Sequence, residues 1–194
     1  MSALLNLYNK PLEAISGKLE PWLLPTLARF TFVAVLFMYF WASAVRKISF
    51  PPVTSVSEFF SAATSLDSYI VSSGAYGTIF PAAYTAAGYD LDNLTTFHTV
   101  VAYAGTYAEF ILPVLIAVGL FTRLAALGMI GFIFVQSYVD IYGHMVDKTA
   151  IGSWFERISD SPIMDQRLFW VTILMLLFIK GAGPLSADKL IGLK

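Results

Sequence analysis

Apolar residues run along this chain in long blocks rather than in alternation. Four blocks stand out: about Leu27 to Val45, Phe97 to Leu120, Leu124 to Tyr142, and Leu168 to Ile179. The first three are long enough, as helices, to cross a hydrocarbon core of roughly 30 Å. The fourth would rise only about 18 Å. It therefore has to extend through Asp165-Gln166-Arg167 or past Lys180, to about 165–182. A tight Gly119-Leu-Phe-Thr-Arg123 turn joins the second and third blocks, which predicts an antiparallel hairpin.

The segments between the blocks differ from one another. Residues 1–26 mix Lys10, Glu13, Lys18 and Glu20 with Leu4, Leu5, Leu7, Tyr8, Leu12, Ile15 and Leu19 at helical spacing. That pattern suits an interfacial amphipathic helix, or a short helix packed on the end of a bundle. Residues 48–96 hold no Lys or Arg, open on Pro51-Pro52, and carry Glu58, Asp67, Asp90 and Asp92. The stretch is too polar to span a bilayer. Its aromatics (Phe59, Phe60, Tyr69, Tyr76, Phe80, Tyr84, Tyr89) are too many for a disordered linker. A folded cap of short helices is expected, one of them opening at Ser57-Glu58-Phe59-Phe60. A second polar loop covers 143–167, with Trp154 and Phe155 as interface anchors. The expected fold is an all-α membrane protein: a four-helix transmembrane bundle, with the cap between helices one and two, and residues 1–194 as one domain.

Composition sharpens this picture. Of 194 residues, 57% are hydrophobic and only 13% charged, against about 25% charged in ordinary soluble domains; mean hydropathy is +0.70. The lipid bilayer is the expected surrounding. The net charge of −1 and the lack of any basic run give no field for nucleic acid. No cysteine is present, which removes disulfides, thiolate metal sites, Cys-ligated iron–sulfur clusters and haem attached through a Cys pair. With His98 and His144 the sole histidines, a bis-His haem would need both. Ala42-Ser43-Ala44 has the form of a signal-peptidase site, but the polar region ahead of the first block is long and Arg46-Lys47 follow at once, so the block reads as an uncleaved anchor.

Basic residues set the expected orientation. With both termini in the cytoplasm, Lys10, Lys18, Arg29, Arg123, Lys180, Lys189 and Lys194 lie inside. Arg46, Lys47, Lys148, Arg157 and Arg167 lie outside, together with the basic-free cap. A bacterial inner-membrane location follows as an expectation.

A charge at mid-bilayer costs about 2.5–3.5 kcal/mol on insertion scales, so an intramembrane carboxylate is a functional candidate. Glu109 is such a residue. Ala102, Gly105, Glu109 and Pro113 share roughly one helix face, and the small residues let a neighbour approach. Pro113 also frees the carbonyl of Glu109. Glu109 reads either as a proton acceptor or ligand contact for a quinol-like head group, or as a structural carboxylate bonded to a Tyr, Thr or base of another span. Gln136, Asp140 and His144 follow at four-residue steps on the third block, so that Asp140 could orient the imidazole of His144. They read either as a proton-transfer or metal-binding rim, joined by His98 if it comes close, or as an interfacial hydrogen-bond network. His98, at the start of the second block, is otherwise a cap. Arg46 and Lys47 call for an acidic partner (Asp140, Asp147 or the cap) or for an anion. Arg123 reads as a head-group anchor, and Ser186 with Asp188 as caps of the turn after Gly181-Ala-Gly-Pro.

Glu109, the stretch Gly119-Leu-Phe-Thr122-Arg123-Leu-Ala-Ala126, and Gly181-Ala-Gly183-Pro-Leu-Ser186-Ala-Asp188 occur here in order on four spans, with Arg29 and Lys47 at the first. In these residues the sequence resembles the DoxX family of small membrane proteins; residues 48–97 and Asp140–Arg167 lie outside the shared pattern. The resemblance implies four membrane helices. One branch of the family is the quinone-linked thiosulfate-oxidising subunit. Other members are partners in membrane redox complexes, or accompany metal handling. The leading expectation is a DoxX-like subunit of a quinone-linked redox system, with other membrane redox subunits as partners. Glu109, Asp140 and His144 would handle protons, while Lys47, His98 and Gln136 would contact the quinone or an anion; no metal ligands are assigned. The alternatives are a non-catalytic accessory or assembly subunit, and a small transporter or metal-handling helper.

Overall fold

A computed structural model describes residues 2–49 and 71–193. The expected helix opening at Ser57 and the aromatics Phe59, Phe60 and Tyr69 lie outside the described residues. The observed elements are α1 (Ser2–Leu19), α2 (Leu23–Arg46), α3 (Ser73–Ile79), α4 (Pro81–Ala86), α5 (Thr96–Val118), α6 (Thr122–Gly143), α7 (Lys148–Ile151), α8 (Pro162–Lys180) and α9 (Ala187–Leu190). No strand occurs among the described residues; Ile48 and Val71 form one isolated antiparallel bridge.

Helices α2, α5, α6 and α8 are long and apolar enough to cross a bilayer, which marks a multi-pass membrane protein. They build an all-α, up-down-up-down four-helix bundle: α5 packs on α2 and α6, and α8 closes the ring between α6 and α2. The fourth span gains its length at its N-terminus, through a π-helical turn at Pro162–Gln166. Further π turns lie at Val33–Phe37 in α2 and Val139–Gly143 at the end of α6.

The core runs down the bundle axis through Phe32, Leu36, Phe40, Ile116, Met129, Ile133, Leu174 and Leu177. The outward faces remain apolar, with Phe30, Met38, Ile111, Leu127, Phe134 and Phe169 exposed. Without a lipid surround these would be a large unpartnered hydrophobic surface. A second, smaller core of Val71, Ala75, Tyr76, Ala102 and Tyr103 forms where α3 packs on the first turns of α5. The region between the first two spans therefore contains ordered short helices in its described part. Residues 8–19 of α1 are exposed throughout.

Two ends of the bundle can be told apart. One carries α1, the α5–α6 turn and α9, and will be called the terminal end. The other carries α3, α4 and α7, and will be called the cap end. At the terminal end, Asp188 of α9 accepts from the backbone N–H of Phe121 (2.7 Å) and of Thr122 (3.0 Å), while its own N–H donates to Gly119 O (2.8 Å). Asp188 thus caps α6 from a distant part of the chain, where a carboxylate also meets the positive end of the helix. The bonds hold Phe121 in a left-handed conformation (φ 47°). Gly119 (φ 75°) has no room for a side chain, because a Cβ there would strike the Arg29 guanidinium and Ser186. Arg29 in turn donates to Leu185 O. Ser186 caps α9 locally, accepting from Lys189 N–H (3.2 Å).

Candidate functional site

The site begins with the backbone around Lys47, the residue that ends α2. Its N–H donates to Ala44 O (3.0 Å), its own carbonyl accepts from Ser72 N–H (2.8 Å), and Ile48 bridges to Val71. These bonds fix the residue where the α2 helix meets the segment leading to α3. From there its side chain turns back into the bundle, and Lys47 Nζ donates to Glu109 Oε1 at 2.5 Å. Ser43, one turn earlier on α2, donates to the same oxygen at 3.4 Å. Lys47 is 7% and Glu109 2% exposed, so the pair is removed from solvent.

Helix geometry explains how a residue at the end of one span meets one in the middle of another. Glu109 lies ten residues before Gly119, or about 15 Å along the axis from the α5–α6 turn. Side chains lean toward the N-terminus of their own helix. On antiparallel helices the lysine of α2 therefore leans toward the terminal end and the glutamate of α5 toward the cap end, and the two converge. Thr106 and Pro113 share the buried face of Glu109 on α5. Thr106 folds its hydroxyl back onto Ala102 O (2.8 Å) and so does not compete for the carboxylate.

Beside the pair lies a cavity of about 370 Å³ between α2, α5 and α6, closed over by Thr78 and Ile79 at the end of α3. Helices α5 and α6 approach closely at Gly128, where a Cβ would stand 3.2 Å from Leu112. Toward the cap end Ala104, Gly105 and Ala108 leave the gap open. Its walls are mostly apolar, and Val100 and Val135, both lining it, are exposed on the outer face of their spans. The opening therefore faces the lipid side. The polar groups on the walls are Ser43, Lys47 and Glu109 at the inner end, and Gln136 and Asp140 on α6. On these cavity walls two acceptors are buried without a hydrogen-bond partner among the described residues, Glu109 Oε2 and Gln136 Oε1; away from the cavity the hydroxyls of Thr26, Ser72 and Thr122 are likewise unpartnered.

Of the sequence candidates, Lys47, Glu109, Gln136 and Asp140 line this one cavity; His98 and His144 do not. The row of Gln136, Asp140 and His144 has three separate partners. Gln136 Nε2 donates to Tyr39 Oη (2.9 Å), Asp140 pairs with Arg167, and His144 Nε2 bonds Thr78 O (2.8 Å). Asp140 therefore does not orient His144. The π turn at Val139–Gly143 widens the helix there, so four-residue spacing no longer stacks side chains. His98 completes a capping box at the start of α5, its Nδ1 accepting from Thr95 N–H (3.2 Å). Both histidines flank the α3–α4 junction, since the His98 ring meets Phe80 edge-on at 4.7 Å while His144 holds Thr78. They do not meet in a metal site, and no group of three or more His, Asp or Glu side chains is set to hold an ion among the described residues.

The acidic partner of Lys47 is Glu109, not Asp140 or Asp147. Arg167, on the expected extension of the fourth span but not among the candidate site residues, is buried and donates to both Asp140 and Ser137 Oγ (2.8 Å). Its signal was the shortness of the fourth apolar block, which forces Arg167 inside the span. Asp147, outside the spans, accepts from the Thr149 hydroxyl (2.6 Å) and N–H (2.7 Å), and these bonds hold its carboxyl below the ordinary range. Glu20 is likewise lowered by its hydrogen bond and ion pair with Lys180.

Comparison with protein-family models, with curated proteins and with solved structures returns no match.

Proposed function

We propose that the cavity binds the head group of a quinol and that the chain is a DoxX-like membrane subunit of a quinone-linked redox system. The observation that carries this reading is the pair of orphaned acceptors, Glu109 Oε2 and Gln136 Oε1, on the walls of a mostly apolar cavity. A buried acceptor without a donor costs about 1–3 kcal/mol. Two of them in one cavity match a ligand with two O–H donors, which a hydroquinone ring supplies and a phospholipid chain does not. The lipid-facing rim at Val100 and Val135 suits an apolar tail leaving into the bilayer.

Bound there, a quinol would supply two electrons and two protons. Glu109 accepts a hydroxyl hydrogen bond and serves as the first proton acceptor. Lys47 holds the carboxylate in place and compensates its charge. Gln136, fixed by Tyr39, accepts a hydrogen bond from the second hydroxyl, and Asp140, the other carboxylate on the cavity walls, takes the second proton. Electrons pass to a partner subunit in this reading. The bacterial inner membrane, with the terminal end in the cytoplasm, is the location that goes with this reading.

An accessory role is the second reading. It draws on the loop at the cap end, which exposes Met145, Trp154, Phe155 and Ile158 as a surface for another subunit.

The test is purification in mild detergent, with extraction of bound quinone and mass spectrometry of copurifying chains. Retained quinone that falls in Glu109→Gln and Gln136→Leu supports the site. A stoichiometric larger complex, with quinone no higher than in a membrane blank, removes the quinol reading and favours the accessory one.

A further inference from the structure

The terminal end carries a second cavity, of about 350 Å³, at the membrane boundary and apart from the quinol site. Three cations from three elements line it: Arg123 in the first turn of α6, Lys180 at the end of α8, and Lys189 of α9. The carboxylates nearby are already committed. Glu20 pairs with Lys180, and both oxygens of Asp188 are taken by the backbone amides of Phe121 and Thr122. Arg123 has no carboxylate partner among the described residues, and neither does Lys189. Asp188 keeps its charge and also lines the cleft, but the three cations Arg123, Lys180 and Lys189 outnumber the two carboxylates Glu20 and Asp188, so positive charge is left over. Gly181 (φ 78°) keeps a side chain away from Arg123, whose Nε would lie 3.5 Å from a Cβ at that position.

Apolar side chains stand at and beside the cleft. Trp22 forms one wall, and an indole favours the head-group level of a bilayer. Leu185, Leu190 and Ile191 stand exposed around α9, at the depth where the spans end. A water-soluble anion would need the cations but not this rim. Cations with an adjoining apolar rim at one membrane boundary match one chemistry, a phosphate head with acyl chains attached.

We infer that this cleft is a binding site for an anionic phospholipid, with Arg123 and Lys189 holding the phosphate and the α9 rim lying against the chains. This site does not depend on what the cavity beside Glu109 binds.

The experiment is native mass spectrometry of the delipidated full-length protein, titrated with phosphatidylglycerol, phosphatidylcholine or inorganic phosphate. Phosphatidylglycerol should bind in preference to phosphatidylcholine. Each base near an anionic surface contributes about 1 kcal/mol, so the double variant Arg123→Gln/Lys189→Gln should bind about 30-fold more weakly. The charge-conserving pair Arg123→Lys/Lys189→Arg should retain binding, which separates loss of charge from loss of folding. Lys148→Gln, at the opposite end, should change nothing. Equal binding of the two lipids, undiminished binding in the double Gln variant, or displacement by millimolar inorganic phosphate would each overturn the proposal.

Discussion

Lys47 and Glu109 form a 2.5 Å ion pair that joins the end of the first span to the middle of the second, inside the bundle. Two charges out of water are tolerated when each compensates the other, and removing one leaves its partner stranded. Lys47→Met should lower stability by about 3–5 kcal/mol. The double variant Lys47→Met/Glu109→Leu should recover most of that loss. Thermal unfolding in one detergent across a double-mutant cycle measures the coupling, and additive losses would show that the pair is not a unit.

Cavity volume and ion pair can be separated. Ala104 lines the cavity from an exposed position on α5, away from the carboxylate. Ala104→Phe should occupy the space and abolish quinone retention, with a stability change within about 0.5 kcal/mol, as for other substitutions outside a packed core. Retention at the parental level would mean that the cavity is not where quinone sits.

Asp188 caps a helix that begins 66 residues earlier. Asp188→Ala should cost about 1–2 kcal/mol, the upper range for a lost cap, and Asp188→Asn less. Hydrogen exchange at the Phe121 and Thr122 amides should rise in the Ala variant. Unchanged exchange there would refute the capping role.

Arg167 bonds Asp140 and Ser137 with different arms of its guanidinium. Lysine has one point of charge and cannot span both. Arg167→Lys should therefore destabilise the protein by about 1 kcal/mol or more, the order of a single lost hydrogen bond. Full stability in that variant would mean that the second bond contributes nothing.

The Asp147 carboxyl is held below its ordinary value of 3.8 by the two bonds from Thr149. A lowered folded-state pKa means that the carboxylate supports α7 above the unfolded value and that this support is lost as pH falls through the folded one. The Thr149 amide resonance should titrate with a midpoint below 3.8. A midpoint at or above that value would show that the turn does not hold the charged form.

How much of this was legible in sequence depended on the range of the cause. The four spans followed from composition and length, and the inward face of Glu109 followed from the small residues spaced along α5. The partner of Glu109 did not follow. Lys47 stands at a span end, and only the stagger and opposite lean of antiparallel side chains bring it to mid-bundle. The expected contact between Asp140 and His144 is absent for a local reason, since a π turn breaks the four-residue stacking that the spacing implies, while Gln136, Asp140 and His144 each bond another element. Spacing alone makes Asp188 a cap of its own turn, a short-range rule, whereas its amide partners are set by how the chain folds back over the α5–α6 turn. The arrangement of the cavity walls depended on three helices at once and had no sequence signal of its own.

The distant cap also bears on biosynthesis. In chain order α6 precedes α8 and α9, so the amides of Phe121 and Thr122 wait without Asp188 until the chain has been extended past all four spans. A polypeptide interrupted between Lys180 and Asp188 would carry all four of these membrane helices and still have an unlatched α5–α6 turn. Latching of that turn therefore reports that the chain has been made through residue 188.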